Sequence, residues 1–243
     1  MPRSKAAKPP APYRAHRERQ RRRILDAAWA LFDERGIDRV TMAEITTASG
    51  VQPSTTYQYF SSKDDIVWAW VSEVMAESAR EAERRTQGAP TAFARIAALS
   101  DFMADELTSN PVRVRFIAQF DAMYARHWPA ERLIALESQI NPRGFQYFTD
   151  LVREGIADGS LRSDLDPDLT LQAVFNAVIG AQRRLASLGS KVELEYGQPI
   201  DRMFRETLRI LLLGLRAPEQ APLVAHGPKL PPARKTSPRK RSS

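Results

Sequence analysis

Residues 41–63, TMAEITTASGVQPSTTYQYFSSK, place the tightest constraint on what this chain can fold into. They read as two short helices around a tight turn. Thr41 stands as an N-cap, with Glu44 three residues on, where a capping box puts its carboxylate. Ile45 and Ala48 supply an inward face. Ser49, Gly50 and Val51 make the turn, and Gly50 is free to take the positive φ of a helix C-terminus. Pro53 falls at the first position of the second helix, where its missing N–H costs nothing. That helix carries Ser54, Thr55, Gln58 and two tyrosines, polar groups suited to phosphates and base edges in a DNA major groove. The stretch is a helix-turn-helix.

Thr41, Ile45, Gly50 and Val51, followed by Thr55, Tyr57, Tyr59, Phe60 and Lys63, resemble the DNA-binding signature of the TetR family of transcriptional regulators. The resemblance covers roughly residues 20–70. Two positions depart from it: Thr46 replaces the usual alanine, and Thr56 the usual leucine or isoleucine. Thr56 either weakens a packing contact beneath the second helix or adds a polar group near DNA. The resemblance implies that Pro53, Ser54, Thr55 and Gln58 reach base edges, with the Gln58 amide matched to adenine. Thr41, Tyr57, Tyr59 and Lys63 are implied phosphate contacts that set register without reading sequence. Partial burial is the competing role for Tyr57 and Tyr59, and an apolar ring with a polar tip allows both. In the run from Arg17 to Arg23, arginines such as Arg21 are expected in the minor groove or along phosphates.

Charge is unevenly spread. Residues 1–23 carry nine Lys/Arg against one Glu, and residues 217–243 six against one, so the body between them is acidic although the chain is +7 overall. Basic arms of this kind point to a polyanion, or else are solvated termini. The expected organisation is all-α: a disordered basic arm (1–16), a three-helix DNA-binding domain (17–65), a larger helical ligand-binding and dimerisation domain (66–216), and a disordered basic tail (217–243) to which no role is assigned. Gly88 and Pro90 interrupt the helix that follows the motif. Beyond them, helices are expected over about 91–108, 111–126, 130–158 with a break at Asn141-Pro142, 168–188 and 200–216.

The last two helices are apolar over most of their circumference, through Leu171, Val174, Phe175 and Val178, then Phe204, Leu208, Ile210 and Leu213. Such helices are buried on more than one side. One monomer core satisfies that, but pairing with a second copy fits better and is what the family resemblance implies. A homodimer presents two recognition helices about one DNA turn, roughly 34 Å, apart or a small multiple of it, so the expected partner is a palindromic double-stranded operator.

The resemblance also implies a small-molecule effector that shifts the larger domain. Candidate lining residues are Phe102, Met103, Phe116, Phe120, Met123, Phe148 and Phe175, with Gln119 and Asn176 as polar anchors. Aromatics in this number suit a hydrophobic or aromatic compound, although any one of them taken alone is more often core than pocket. Arg183 and Arg184 are assigned to solvent or acidic neighbours in preference to an anionic ligand.

Catalytic chemistry has no constellation here. His16, His127 and His226 are far apart, there is no cysteine, and no phosphate loop or nucleophile elbow occurs. No catalytic residue, metal site or cofactor is expected. The first residues lack an apolar signal segment, and the run at 210–215 is far short of the ~20 residues of a membrane span, so a cytoplasmic protein without membrane contact is expected. The resulting expectation is a ligand-responsive dimeric repressor; an activator on the same fold, or a protein coating DNA through its tails, are the alternatives.

Overall fold

The computed structural model describes residues 11–140 and 146–218; the remainder of the expected arm, the break at Asn141-Pro142 and nearly all of the basic tail lie outside them. Eleven α-helices account for most of the described residues. The first four are α1 (Ala11–Arg35), α2 (Met42–Ser49), α3 (Pro53–Tyr59) and α4 (Lys63–Thr86), with a short 3-10 turn at Ile37–Arg39. Local chemistry sets their ends. Thr41 and Glu44 form the full capping box, Gly50 closes α2 at φ 61, Pro53 opens α3, and the Ser62 hydroxyl accepts the Asp65 N–H. One boundary differs from expectation: α1 opens at Ala11, so residues 11–16 are helix and not a disordered arm. Pro12 sits in the first turn, where no N–H is required, and the arginine-rich run beyond it favours helix.

The remaining helices are α5 (Ala92–Ser109), α6 (Pro111–His127), α7 (Ala130–Ile140), α8 (Gln146–Ala157), α9 (Thr170–Leu188), α10 (Lys191–Tyr196) and α11 (Ile200–Leu215). α10 stands where only a loop was expected, ended by Gly197 at φ 64. Its inner residue Val192 is fully buried against Phe204 and Leu208 of α11, so packing recruits a segment too short to declare itself locally. Two cores fill this part. One gathers Leu107, Val114, Val178, Leu185 and Phe204; the other gathers Phe93, Ile96, Leu151, Val152 and Leu215. Gly155 permits the second: a Cβ there would lie 2.4 Å from Leu161, so only glycine lets that turn close on α8.

The core beneath the helix-turn-helix is not confined to the first four helices. Ile24, Leu25, Phe32, Ile45, Ile66 and Val71 are continuous with Phe116 and Phe120 of α6 and Leu136 of α7. α4 thus has two tasks. Its first half lies in this core, and its second half, from Ala76 onward, walls a cleft in the larger domain.

Candidate DNA-binding surface and effector cleft

α1 packs most extensively on α2, and α3 rests on both, so one side of α3 faces inward and the other is free. Inward lies Thr56, fully buried, its hydroxyl donating to the Gln52 carbonyl (3.2 Å). The alternatives left by the sequence resolve: Thr56 is a packing residue. Thr46 is buried as well, with its hydroxyl unpaired. Outward lie Pro53, Ser54, Tyr57 and Gln58, with Thr55 half-buried at the edge. Tyr57 is 53% exposed, which for a tyrosine at the centre of a recognition helix leaves ring and hydroxyl free for a partner.

Other expected DNA contacts are occupied within the protein. The Thr41 hydroxyl donates to the Glu44 carboxylate (2.7 Å) and accepts the Glu44 N–H (3.3 Å). The Lys63 ammonium donates to the Ile37 carbonyl (2.8 Å), closing the 3-10 turn. The Tyr59 hydroxyl donates to Gln20 (3.1 Å), and Arg17 lies over the Tyr59 ring at 5.5 Å. Arg21 donates to Glu73 of α4 (3.0 Å) and covers the Phe60 ring. These four side chains hold the motif together. The cations exposed beside it belong to the lengthened α1, among them Arg14, Arg19 and Arg23. Arg23 reaches the Gly50 carbonyl in the turn (3.4 Å). The arginine run signalled this edge in sequence, but which members face outward depends on the rotation of α1.

Glu44 is the most perturbed carboxyl here. Hydrogen bonds from the Thr41 hydroxyl, then from the Thr41 N–H, then from Arg35, hold it down to about 2, against an ordinary value of 4.5. A depressed folded value contributes stability that is present above the unfolded value and lost as pH falls toward the folded one. Glu44→Gln should therefore melt lower than wild type at neutral pH. That difference should shrink between pH 4.5 and about 2, read from paired thermal melts.

The cleft lies between α4, α5, α8 and α9, with a volume of about 1190 Å³. Four of the expected lining residues are there: Phe102, Met103, Phe148 and Phe175, with Phe148 and Phe175 rings 5.0 Å apart. Leu99 and Tyr147 join them, as do Ala76, Ala79 and Ala82 of α4, whose alanine spacing in sequence was the available signal. Five expected residues are elsewhere. Phe116 packs on Trp29 (5.2 Å) and Phe32 (6.2 Å); Phe120 packs on Trp68 and Trp128; Met123 joins the same core. Gln119 accepts the Ile37 N–H (3.1 Å), tying α6 to the DNA-binding domain. Asn176 is exposed on α9. Positions 116, 119, 120 and 123 share one face of α6, and that face meets α1 and α4, not the cleft. Arg183 pairs with Asp121 and Arg184 with the Tyr196 hydroxyl, and neither lines the cleft.

Among the described residues no group of three His, Asp or Glu side chains could hold a metal ion, and no helix is long and apolar enough to cross a membrane.

Residues 24–69 match the family model described as bacterial regulatory proteins, tetR family. The chain is 24% identical over 213 residues to the HTH-type transcriptional repressor KstR2 of Rhodococcus jostii, covering 86% of this chain and 98% of that one. It is 34% identical over 80 residues to the HTH-type transcriptional regulator BetI of Brucella canis, covering 33% of this chain and 40% of the relative. Among solved structures, the fatty acid degradation regulator FadR of Bacillus halodurans superposes with a TM-score of 0.59 at 20% identity, over 82% of this chain and 97% of that one. That last likeness is one of fold.

Proposed function

We propose, for a chain that belongs to the TetR family of bacterial regulatory proteins, that it is a dimeric cytoplasmic repressor, held on a palindromic operator and released when a small hydrophobic effector fills the cleft. The observation that carries this reading is the double use of α4. Val67 and Val71 pack under the helix-turn-helix, while Ala76 and Ala79 wall the cleft on the same helix. A ligand that shifts the second half moves the first, and a ligand that prefers the arrangement DNA disfavours weakens DNA binding by the same factor by which DNA weakens its own binding. Repression is supported by the curated repressor that aligns over nearly its whole length.

Base-edge contacts are assigned to Pro53, Ser54, Thr55 and Gln58, phosphate contacts to Tyr57 and the outward arginines of α1. Thr41, Tyr59, Lys63 and Arg21 serve DNA binding chiefly by holding the motif in shape. Pairing of two copies is assigned to α9 and α11. Ile210 and Leu213 are 57% and 46% exposed in the protomer, beside Gly214. Ala173, Ala177 and Gly180 form a small-residue face on α9 with open space over Gly180, so a facing helix can approach closely.

Selection of genomic fragments by the purified protein at near-physiological salt tests this reading, beside a Tyr57→Ala/Gln58→Ala control whose side chains are both exposed. A shared palindrome enriched by wild type and lost in the control is the expected result. Equal enrichment by both proteins with no common motif would sink the operator and leave non-specific DNA coating.

A further inference from the structure

Resting on the ligand-responsive reading above, we infer that the effector is an amphipathic organic anion, its apolar body in the large cleft and its headgroup at Arg80 of α4. The cleft walls supply the apolar half: Leu99, Phe102, Met103, Phe148 and Phe175 face the alanines of α4. The rim is charged. Arg80, Arg84 and Arg95 all border the cleft, with Glu83 as the acidic side chain among its lining residues.

The arginines are not equivalent. Arg84 donates to Glu81 (2.9 Å), and Arg95 pairs with Glu154. Arg80 has no hydrogen bond, ion pair or ring contact among the described residues. A guanidinium presents donors in a planar fork that matches carboxylate or phosphate oxygens, and here one stands unmatched at the edge of an apolar wall. The partners of Arg84 and Arg95 are themselves partly exposed, and ion pairs of that kind hold weakly enough to be exchanged for a ligand anion.

A headgroup also has room. Arg80 borders a second, smaller cavity of about 420 Å³ between α4, α5 and α6, which shares Ser78, Arg84 and Phe102 with the large cleft. Arg80, Arg84, Arg85 and Arg113 line it against Glu77, Glu81 and Glu106, an excess of one positive charge, together with the Asn110 amide. The two cavities meet at Phe102 and Arg80, the junction between an apolar and a polar compartment. A neutral apolar ligand would fill the first compartment and leave the second unused. Charge complementarity selects the anion, and the headgroup then touches the helix that carries Val67 and Val71 beneath the DNA-binding motif.

The test is titration calorimetry on the full chain with three probes sharing one chain length: sodium decanoate, decyl phosphate and 1-decanol. Each is also added to the protein on its selected DNA fragment. Wild type should bind at least one of the two anions about tenfold or more tightly than decanol, the scale of a charge-assisted hydrogen bond, and that anion should release DNA. Arg80→Gln should bring the preferred anion to within about threefold of decanol while leaving decanol affinity unchanged, since an exposed side chain outside the core is replaced. Which anion binds better identifies a carboxylate or a phosphate headgroup. Decanol binding and releasing DNA as well as the anions do, or an anion preference that survives Arg80→Gln, overturns the inference and leaves the ligand-responsive reading standing. Failure of both anions to bind likewise overturns the inference, and because three decyl probes do not exhaust hydrophobic effectors the ligand-responsive reading stands apart from that result.

Discussion

Ile210→Arg/Leu213→Arg is expected to be a folded monomer that has lost operator binding by two orders of magnitude or more. Both side chains are exposed in the protomer and contribute little to its cores, so helix content by circular dichroism should match wild type. In the proposed dimer they lie between two copies of α11, where two unpaired guanidinium groups per subunit would have to be desolvated. An obligate interface of ~2,000 Å² is held chiefly by its apolar centre, which this substitution destroys. DNA affinity falls with it because each half-site contact loses the high effective concentration supplied by its tethered twin, worth ~10²–10⁴-fold. Sedimentation velocity and a binding isotherm on the selected palindrome read the two effects separately. A variant that still sediments as a dimer would remove α11 from the interface.

Phe116→Ala is the substitution expected to cost most in stability, about 3–5 kcal/mol for a buried phenylalanine. Phe116 is buried at 4% exposure, edge-on to Trp29 and stacked on Phe32, and it joins α6 to the DNA-binding domain. Its loss opens a cavity at the seam between the two parts of the molecule. Phe175→Ala is the matched control. That ring is 37% exposed and sits in the cleft against Phe148, so its removal should change melting far less while altering effector binding. Denaturant unfolding of the two variants checks the contrast. Equal destabilisation would mean that Phe175 is a core residue and that the cleft is smaller than described. Since a domain's total stability is only ~5–15 kcal/mol, the Phe116 change alone should bring the protein near its unfolding threshold.

The helix-turn-helix was legible because its determinants act over a few residues. The Thr41–Glu44 box, the positive φ of Gly50 and the Pro53 start are each complete within one turn, and each stands in the structure where the sequence put it. Helix order and approximate lengths in the larger domain were legible for the same reason. The start of α1 was not, because arginine-rich helix and solvated arm look alike in composition. α10 was not, because six residues cannot form a helix without the neighbours that bury Val192.

Within the sites, the division follows the same physics. Sequence alone determined that α3 carries Pro53, Ser54, Thr55, Tyr57 and Gln58 behind a tight turn, and that aromatic residues crowd α5, α6 and α8. Only tertiary structure decided that Tyr59, Lys63 and Arg21 are spent on internal contacts, that Phe116 and Phe120 belong to a core shared with the DNA-binding domain, and that Phe102, Met103, Phe148 and Phe175 line the cleft. A cap or a turn is an interaction between residues three or four apart, written into the chain. Whether an aromatic ring is core or cleft depends on how helices remote in sequence rotate against one another, and hydrophobic burial, being non-directional, does not record that choice in the residue itself.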